Sequence, residues 1–205
     1  MNNMNTAYDA EYFDELYQEN DGDPWQYEHR WYEARKRAMA LALLPQQYYR
    51  YALEIGCSTG VFSEQLAHRC EKLDVLDAHP KAIEHARHRL KSLNHVQILQ
   101  AEIPQELPAQ KYDLIVLSEV LYYLNSKSVA QVIDWLKVSL QPNGCIVACH
   151  WIHPIGHFEF TGVDVHEHLI NALPYRHYAH VEDMDFKMDL WTFSNKSVAE
   201  QEGLL

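Results

Sequence analysis

Apolar positions between residues 50 and 150 fall into two alternating patterns. Short continuous apolar runs predict strands that are buried on both faces, and runs with a spacing of three or four residues predict the helices that cover them. We predict strands at residues 51–55, 73–76, 96–100, 114–117 and 145–149. The helices between them are predicted at residues 61–69, 80–93 and 128–140, with a turn at 141–144.

This alternation of strands and helices defines the expected fold class. It indicates parallel strands joined by right-handed crossovers, with helices on both faces of the sheet. We therefore predict an α/β fold with a doubly wound, Rossmann-like, mostly parallel sheet. The carboxyl-terminal part adds a helix at 165–173 and two strands, 175–181 and 186–194, which we expect to form an antiparallel hairpin.

Residues 1–45 precede the first strand, and we predict that they form a helical extension or lid on a single compact domain, residues 46–205. Asp23-Pro24-Trp25 breaks the chain, and one long helix is expected from residue 26 to residue 44, ended by Pro45. The extension is rich in aromatic residues. These either pack it against the domain, or face a cation or a sugar ring.

Charge and composition narrow the possible partners. The 205 residues carry 29 acidic and 17 basic side chains, a net charge of −12, so we expect no nucleic-acid partner. No apolar run is long enough to span a membrane, and the polar amino terminus does not have the pattern of a signal peptide. The four cysteines lack metal-type spacing, which favours a reduced, cytoplasmic protein. We expect a monomer or a homodimer.

The most specific local signal is the segment 51–60. Glu54 ends an apolar strand, Gly56 and Gly60 form a turn, and a helix follows. A carboxylate at this point suits a ligand with positive charge and hydroxyl groups, and it would repel a pyrophosphate. The dinucleotide pattern Gly-x-Gly-x-x-Gly is not matched, because Ser58 and Val61 occupy its second and third glycine positions. The segment therefore favours S-adenosylmethionine over a nicotinamide dinucleotide.

Acidic residues also follow the next two strands. Asp77 ends the second strand, where a carboxylate can bind both ribose hydroxyls; the alternative is a helix N-cap. Glu102 and Ile103 follow the third strand. Glu102 could accept a hydrogen bond from an adenine amino group while Ile103 packs against the ring, and the alternative is an exposed loop acid.

Two further segments carry polar and aromatic groups at the same edge of the sheet. Residues 118–124, Ser-Glu-Val-Leu-Tyr-Tyr-Leu, follow the fourth strand, and residues 150–154, His-Trp-Ile-His-Pro, follow the fifth. We predict that the second segment forms an acceptor pocket, in which His150 orients the acceptor or takes its proton. A surface segment without a role is the alternative. A metal site is disfavoured because Pro154 prevents a regular helix through these histidines.

Taken together, residues 53–60, Asp77, 101–103 and 112–120 resemble the successive motifs of class I S-adenosylmethionine-dependent methyltransferases. Over residues 12–193 the chain more narrowly resembles the nodulation protein S family of N-methyltransferases, through 23–25, 31–33 with Lys36, 118–124 and 150–154. The resemblance implies that the amino-terminal helix lies over the cofactor. Ser58 and Glu102 depart from the family, which usually has glycine and aspartate at these positions.

Residue motifs and resemblance together define the predicted site. The predicted cofactor contacts are Glu54, Gly56, Cys57, Ser58, Gly60, Asp77, Ala78, Glu102, Ile103, Ser118, Glu119 and Trp31. The predicted catalytic residues are Glu119, Tyr122 and His150, the predicted substrate contacts are Tyr123, Trp151 and His153, and no metal is predicted.

We therefore predict an enzyme that transfers a methyl group from S-adenosylmethionine to a small molecule, by N-methylation of an amine, for example on a saccharide. The alternative is a non-catalytic S-adenosylmethionine-binding sensor or partner subunit, with an O-methyltransferase or an NAD-dependent oxidoreductase less favoured. Methyl transfer from an activated sulfonium depends mainly on geometry and on exclusion of water.

Overall fold

The computed structural model describes residues 9–19 and 22–205. The helices are α1 Ala10–Glu19, α2 Trp31–Leu43, α3 Val61–Ala67, α4 Pro80–Leu90, α5 Ser126–Ser139, α6 Gly162–Ala172 and α7 Val198–Gln201. The strands are β1 Tyr49–Ile55, β2 Cys70–Asp77, β3 Val96–Gln100, β4 Tyr112–Ser118, β5 Leu140–Trp151, β6 Arg176–Glu182 and β7 Phe186–Thr192. A short 3₁₀ helix, Leu121–Tyr123, lies between β4 and α5.

Within this part of the chain, seven strands form one sheet in the order β3-β2-β1-β4-β5-β7-β6. The first five strands pair in parallel, and β7 pairs antiparallel with both β5 and β6. The predicted fold class, including the carboxyl-terminal hairpin, is confirmed. Strand order reverses between β1 and β4, so a crevice is expected at the carboxyl ends of these two strands.

The core has two layers, one on each face of the sheet. Because side chains alternate across a strand, Leu53 and Ile55 pack in the layer under α5 and α6, and Ala52 packs in the layer under α3 and α4. Both layers are completely buried at β1, which holds the end of this strand in a fixed position. No helix in the described residues combines the length and apolarity needed to cross a membrane.

The predicted turn at 141–144 lies inside β5 instead of before it. Tyr112 pairs with Leu140, and Leu114 pairs with Cys145, so β5 advances five residues while β4 advances two. Asn143 has a φ of 67°, which is typical of such an irregularity. The turn residues therefore form a bulge, and β5 continues to Trp151, two residues beyond the predicted end.

The amino-terminal segment also differs from the prediction. Gln26 has a φ of 54°, and the Asp23 side chain accepts a hydrogen bond from the Tyr27 amide, so turns occupy residues 24–29 and α2 begins only at Trp31. The sequence analysis did not predict α1. The extension predicted at residues 1–45 lies partly outside the described residues, and its boundary stays a prediction.

Candidate functional site

A cavity of about 460 Å³ opens at the carboxyl ends of β1, β2 and β4. Gly56, Asp77 and Ser118 line it at the three strand ends, and α1, α2 and the 3₁₀ helix form its walls. The size is typical of a pocket for a small molecule. A smaller cavity of about 40 Å³ adjoins it and shares several lining residues, among them Gly56 and Ser118.

The turn after β1 depends on Gly56. Its φ is 80°, and a Cβ at this position would lie 3.2 Å from the Cβ of Val120. The amides of Gly56 and Cys57 both donate to the carbonyl of Leu76, which ties the turn to β2. Cys57 lines the smaller cavity, whereas Gly60 lies outside both cavities and caps α3 in the left-handed region. Gly60 therefore shapes the turn without lining the cavities.

Glu54 and Arg37 line the smaller cavity. Glu54 is 2% exposed, and burial, together with the charge of Asp77, raises the pKa of its carboxyl to about 8. Among residues 9–19 and 22–205, neither Glu54 Oε2 nor Arg37 Nε and Nη1 has a hydrogen-bond partner. Buried polar atoms normally have partners. A carboxylate and a guanidinium at one small cavity are complementary to an ammonium and a carboxylate, which are the charged groups of an amino acid.

Asp77 is fixed on the cavity wall by two backbone amides. Its Oδ2 accepts from Ser58 N–H at 2.9 Å, and its Oδ1 accepts from His79 N–H at 2.9 Å. Burial raises the pKa of the carboxyl despite these bonds. The N-cap of α4 is His79, so Asp77 is not the helix cap that was considered as the alternative. Its remaining lone pairs are free to accept hydrogen bonds from a ligand.

Ala78 and Ile103 line the same wall, as predicted, and Glu102 does not. Glu102 is exposed, and its amide donates to the side chain of Glu106 in a local turn. The turn directs Ile103 inward and Glu102 outward. This corrects the prediction that Glu102 contacts a cofactor, and it favours the exposed loop acid.

Glu119 lies at the centre of a buried network beside the cavity. Its Oε1 accepts from Lys36 Nζ at 2.5 Å, and its Oε2 accepts from Tyr122 Oη at 2.5 Å and from Trp151 N–H at 2.8 Å. Burial by itself would lower the pKa of Lys36. The negative charge of Glu119 and of other neighbours outweighs this effect, so the pKa of Lys36 is above its ordinary value. Burial and Glu119 also raise the pKa of Tyr122. At neutral pH Lys36 is therefore charged and Tyr122 protonated, so neither can act as a base.

Glu33 is a site residue that the residue-based predictions missed. It lines both cavities, one of its oxygens accepts from Lys36 Nζ at 3.1 Å, and Oε2 has no partner in the described part of the chain. Burial raises the pKa of its carboxyl, although Lys36 opposes the shift. The spacing of three residues between Glu33 and Lys36 places both on one helix face, and this signal was available in the sequence.

His150 does not line either cavity. It is fully buried, its Nε2 accepts from Leu121 N–H at 3.3 Å, and its Nδ1 lies 3.1 Å from Nε2 of His166. Burial and the charge of His166 lower the pKa of His150 well below its usual range. This corrects the prediction that His150 contacts the acceptor: it is a neutral group that supports the 3₁₀ helix.

Two other predicted contacts lie outside the cavity. Trp31 is 77% exposed, because the helix that begins there turns Tyr32 inward instead. His153 is exposed and pairs with Asp185 at 3.0 Å, and Asp185 itself lines the cavity.

Two of the predicted substrate contacts lie in the cavity, which also contains a further residue, besides Glu33, that the predictions missed. Tyr123 and Trp151 both line the larger cavity. Tyr17 of α1, which was not predicted, bonds Ser58 Oγ at 2.8 Å and stacks on His79.

Comparison with known proteins identifies the family of this chain. Residues 9–149 match the model of the family described as Nodulation protein S. The chain is 37% identical to Nodulation protein S of Sinorhizobium fredii (strain NBRC 101917 / NGR234), over 61% of this chain and 59% of that protein. It is 35% identical to Nodulation protein S of Rhizobium tropici, over 61% of this chain and 53% of that protein. The matched segment thus spans just over half the length of these curated relatives.

A solved structure is similar over a longer range. The N-methyltransferase NodS from Bradyrhizobium japonicum WM9, in complex with S-adenosyl-L-homocysteine, has a TM-score of 0.76 against this chain at 28% identity. The similarity covers 90% of this chain and 98% of that one.

Proposed function

The chain belongs to the nodulation protein S family, and from that membership we propose that it is an S-adenosylmethionine-dependent methyltransferase that methylates an amine of a small molecule. The observation that carries the proposal is a pair of ionisable side chains, Glu54 and Arg37, in a small cavity that opens beside a larger one. Their buried atoms Glu54 Oε2 and Arg37 Nε and Nη1 have no hydrogen-bond partner among the described residues. S-adenosylmethionine carries an ammonium and a carboxylate on one end and an adenosyl group on the other. The two cavities match this division.

The smaller cavity suits the amino-acid end of the cofactor. Glu54 is the partner for the ammonium, and Arg37 can bind the carboxylate through two N–H groups. Ser58 and Cys57 complete the wall of this cavity. Because these buried atoms have no partner in the part of the chain that the structure describes, binding a zwitterion there would satisfy polar groups that are otherwise costly to bury.

The larger cavity suits the adenosyl end. Asp77 is held by two amides with lone pairs left for the ribose hydroxyls. Leu76, Ala78 and Ile103 supply an apolar wall for the adenine ring. When bound, the cofactor supplies a methyl group already activated on a sulfonium, so the protein must hold and orient the acceptor and exclude water. Tyr12, Phe13 and Tyr17 of α1 cover the cavity and support that exclusion.

The acceptor is proposed to be an amine. Glu33, Glu119 and Asp185 line the cavity, where, among the described residues, Lys36 pairs with both glutamates and Arg30 is the other cation. The acidic groups outnumber the cations there, which favours a protonated amine. The amine must lose its proton before it attacks the methyl group. We assign the proton to Glu33, because its Oε2 has no partner within residues 9–19 and 22–205 and its pKa is raised, whereas both oxygens of Glu119 are held by protein donors. Glu119 instead holds Lys36, Tyr122 and the Trp151 amide in position at the cavity wall.

A saccharide amine is the acceptor class that we favour. Tyr32 and Trp151 line the cavity edge-on to each other with ring centroids 5.8 Å apart, and such rings are suited to contact the apolar face of a sugar. The relatives are named for nodulation, and glucosamine oligomers are therefore the first acceptors to test.

Calorimetry and product analysis test the proposal together. We expect S-adenosylmethionine and S-adenosylhomocysteine to bind at one equivalent, and mass spectrometry to detect methylated glucosamine oligomers. Fully N-acetylated oligomers are the matched control and should stay unmodified, because they have no free amine. Glu33→Gln should lose turnover by a much larger factor than any loss of S-adenosylhomocysteine affinity, because the residue also lines the smaller cavity. Failure of the wild-type protein to bind either cofactor form would overturn the proposal.

The expectations of a cytoplasmic location, of a monomer or homodimer and of no nucleic-acid partner stay predictions.

A further inference from the structure

A cluster of histidines surrounds one buried carboxylate on the far side of β5, away from the cavity. Asp189 of β7 is fully buried, and His177 and His180 of β6 and His166 of α6 all contact it. The proposed function uses none of these four residues.

A bulge in β6 brings the two β6 histidines together. Residues three apart in a regular strand point to opposite faces of the sheet. Here the register shifts between His177 and Ala179, so that His177 pairs with Trp191 and His180 pairs with Asp189. Trp191 and Asp189 are two apart and share a face, and both histidines therefore lie on that face.

The donor atoms form a compact group. His177 Nε2, His180 Nδ1 and a carboxylate oxygen of Asp189 all lie within 4.8 Å of one another. His180 Nδ1 lies 2.8 Å from Asp189 Oδ1, and His177 Nε2 contacts the same oxygen. Both histidine side chains are 37% exposed, so this face of the group is open to solvent while the carboxylate behind it is buried.

The groups around these donors have the arrangement expected of a second shell. His166 Nδ1 contacts the other oxygen of Asp189, which holds the carboxylate in one orientation. The other ring nitrogen of His180, Nε2, lies 3.4 Å from Glu182 Oε2, and the ring of His177 stacks on Trp191. Each donor ring thus has a neighbouring group that orients it, as metal-binding histidines usually have.

We propose that His177, His180 and Asp189 bind a divalent transition-metal ion, with zinc as the preferred ion. Two imidazole nitrogens and one carboxylate oxygen are a common zinc donor set, and the open side leaves a fourth position for water. A divalent cation would also balance the buried charge of Asp189. The ion would hold the edge strand β6 to β7. This inference does not rest on the proposed methyltransferase activity.

Titration of Zn²⁺ into tag-free, chelator-treated protein tests the site. We expect saturation at one equivalent, and a higher melting temperature because the ion binds the folded state. The double variant His177→Gln/His180→Gln keeps side chains that can still donate to Asp189. We expect its affinity for Zn²⁺ to be at least tenfold lower, and we expect Zn²⁺ not to raise its melting temperature. Co²⁺ should give visible absorption bands of a tetrahedral site in the wild type and not in this double variant.

The matched control is His85→Gln/His88→Gln. These two histidines are also exposed and three residues apart, but they lie on α4. This variant should bind Zn²⁺ like the wild type. Circular dichroism should show that both double variants are folded, so that a loss of binding reports the site. Absence of saturable binding in the wild type, or equal affinity in the His177→Gln/His180→Gln variant, would overturn the proposal.

Discussion

Replacement of Glu54 by glutamine should remove a pH-dependent cost of folding. The pKa of this carboxyl is about 8 in the folded protein against an ordinary 4.5. The folded state therefore binds the proton more tightly than the unfolded state, and stability falls as pH rises from about 4.5 to about 8. The stability lost through ionisation of Glu54 is about 5 kcal/mol above this pH window and about 3 kcal/mol at pH 7.

Glutamine has the same size as the protonated acid and cannot ionise. Ligand-free Glu54→Gln should therefore match the wild type in stability near pH 4.5 and exceed it by several kcal/mol near pH 8.5. Urea denaturation followed by circular dichroism at intervals across this range measures the difference. Glu102→Gln is the matched control, because that carboxyl is exposed and lies outside both cavities. The free energy of unfolding of Glu102→Gln should change with pH in the same way as that of the wild type.

The ionisation of Glu54 should have the opposite effect on ligand binding: it destabilises the ligand-free protein but strengthens the binding of an ammonium group. An ammonium beside Glu54 favours the ionised form, so S-adenosylhomocysteine should bind the wild type more tightly as pH rises towards 8, with release of a proton. Calorimetry in two buffers of different ionisation enthalpy measures that proton. Glu54→Gln should lose the proton release and about 10- to 100-fold in affinity, the range for hydrogen bonds to charged groups. Equal proton release in the variant, or a stability difference that does not grow with pH, would refute the reasoning.

Three further variants test other parts of the site. Arg37→Met should weaken S-adenosylhomocysteine binding by about 10- to 100-fold in calorimetry. Arg35→Met, which loses an ion pair with Asp183 and a contact with the Phe186 ring, should not weaken it, and equal affinities would contradict the assignment. Lys36→Met should lower the urea-derived free energy of unfolding by about 3–5 kcal/mol because it leaves Glu119 buried without its cation, and an unchanged midpoint would contradict this. Gly162→Ala should cost about 1–3 kcal/mol in the same assay, because the new Cβ would lie 2.2 Å from the carbonyl oxygen of Trp151. In the control Gly156→Ala the new Cβ meets no atom within 4 Å, and only the strain of a φ of 48° remains. Equal losses of stability would contradict the steric explanation.

The strand ends were the most predictable part of the site. Apolar runs give the position of each strand, and a glycine turn or an acid at its carboxyl end is a local signal. Glu54, Gly56 and Asp77 therefore lie at the strand ends, as the sequence predicted, and line cavities there, whereas their contact with a cofactor stays a prediction. The family resemblance and the fold class are confirmed as well.

Errors came from boundaries and from side-chain direction. The predicted end of β5 was two residues short, so His150 was placed in a loop at the rim. In the structure it lies inside the strand, where alternation turns it into the core and leaves Trp151 facing the cavity. Similarly, α2 begins at Trp31, and the phase of the helix turns Trp31 outward. A pattern of residue types does not fix that phase at a helix end.

The histidine cluster at β6 depends on an irregularity that has no sequence signature. His177 and His180 are three apart, which in a regular strand predicts opposite faces. Only the register shift beside Tyr178 brings them to one face with Asp189, which is nine residues or more away along the chain. Such a cluster is therefore found from the fold and not from motif spacing.

The geometry of α2 links cofactor binding to acceptor binding. Arg37 faces the smaller cavity, Glu33 lines both cavities, and Lys36 joins Glu119 in the loop after β4. These three positions recur at helical spacing on one face, so a shift of the helix moves all of them together. A ligand that engages Arg37 would therefore also fix Glu33, the carboxylate proposed to receive the acceptor proton. Binding of the cofactor carboxylate to Arg37 should therefore hold α2, and with it Glu33 and Lys36, against the acceptor site. The lid role of residues 1–45 stays a prediction.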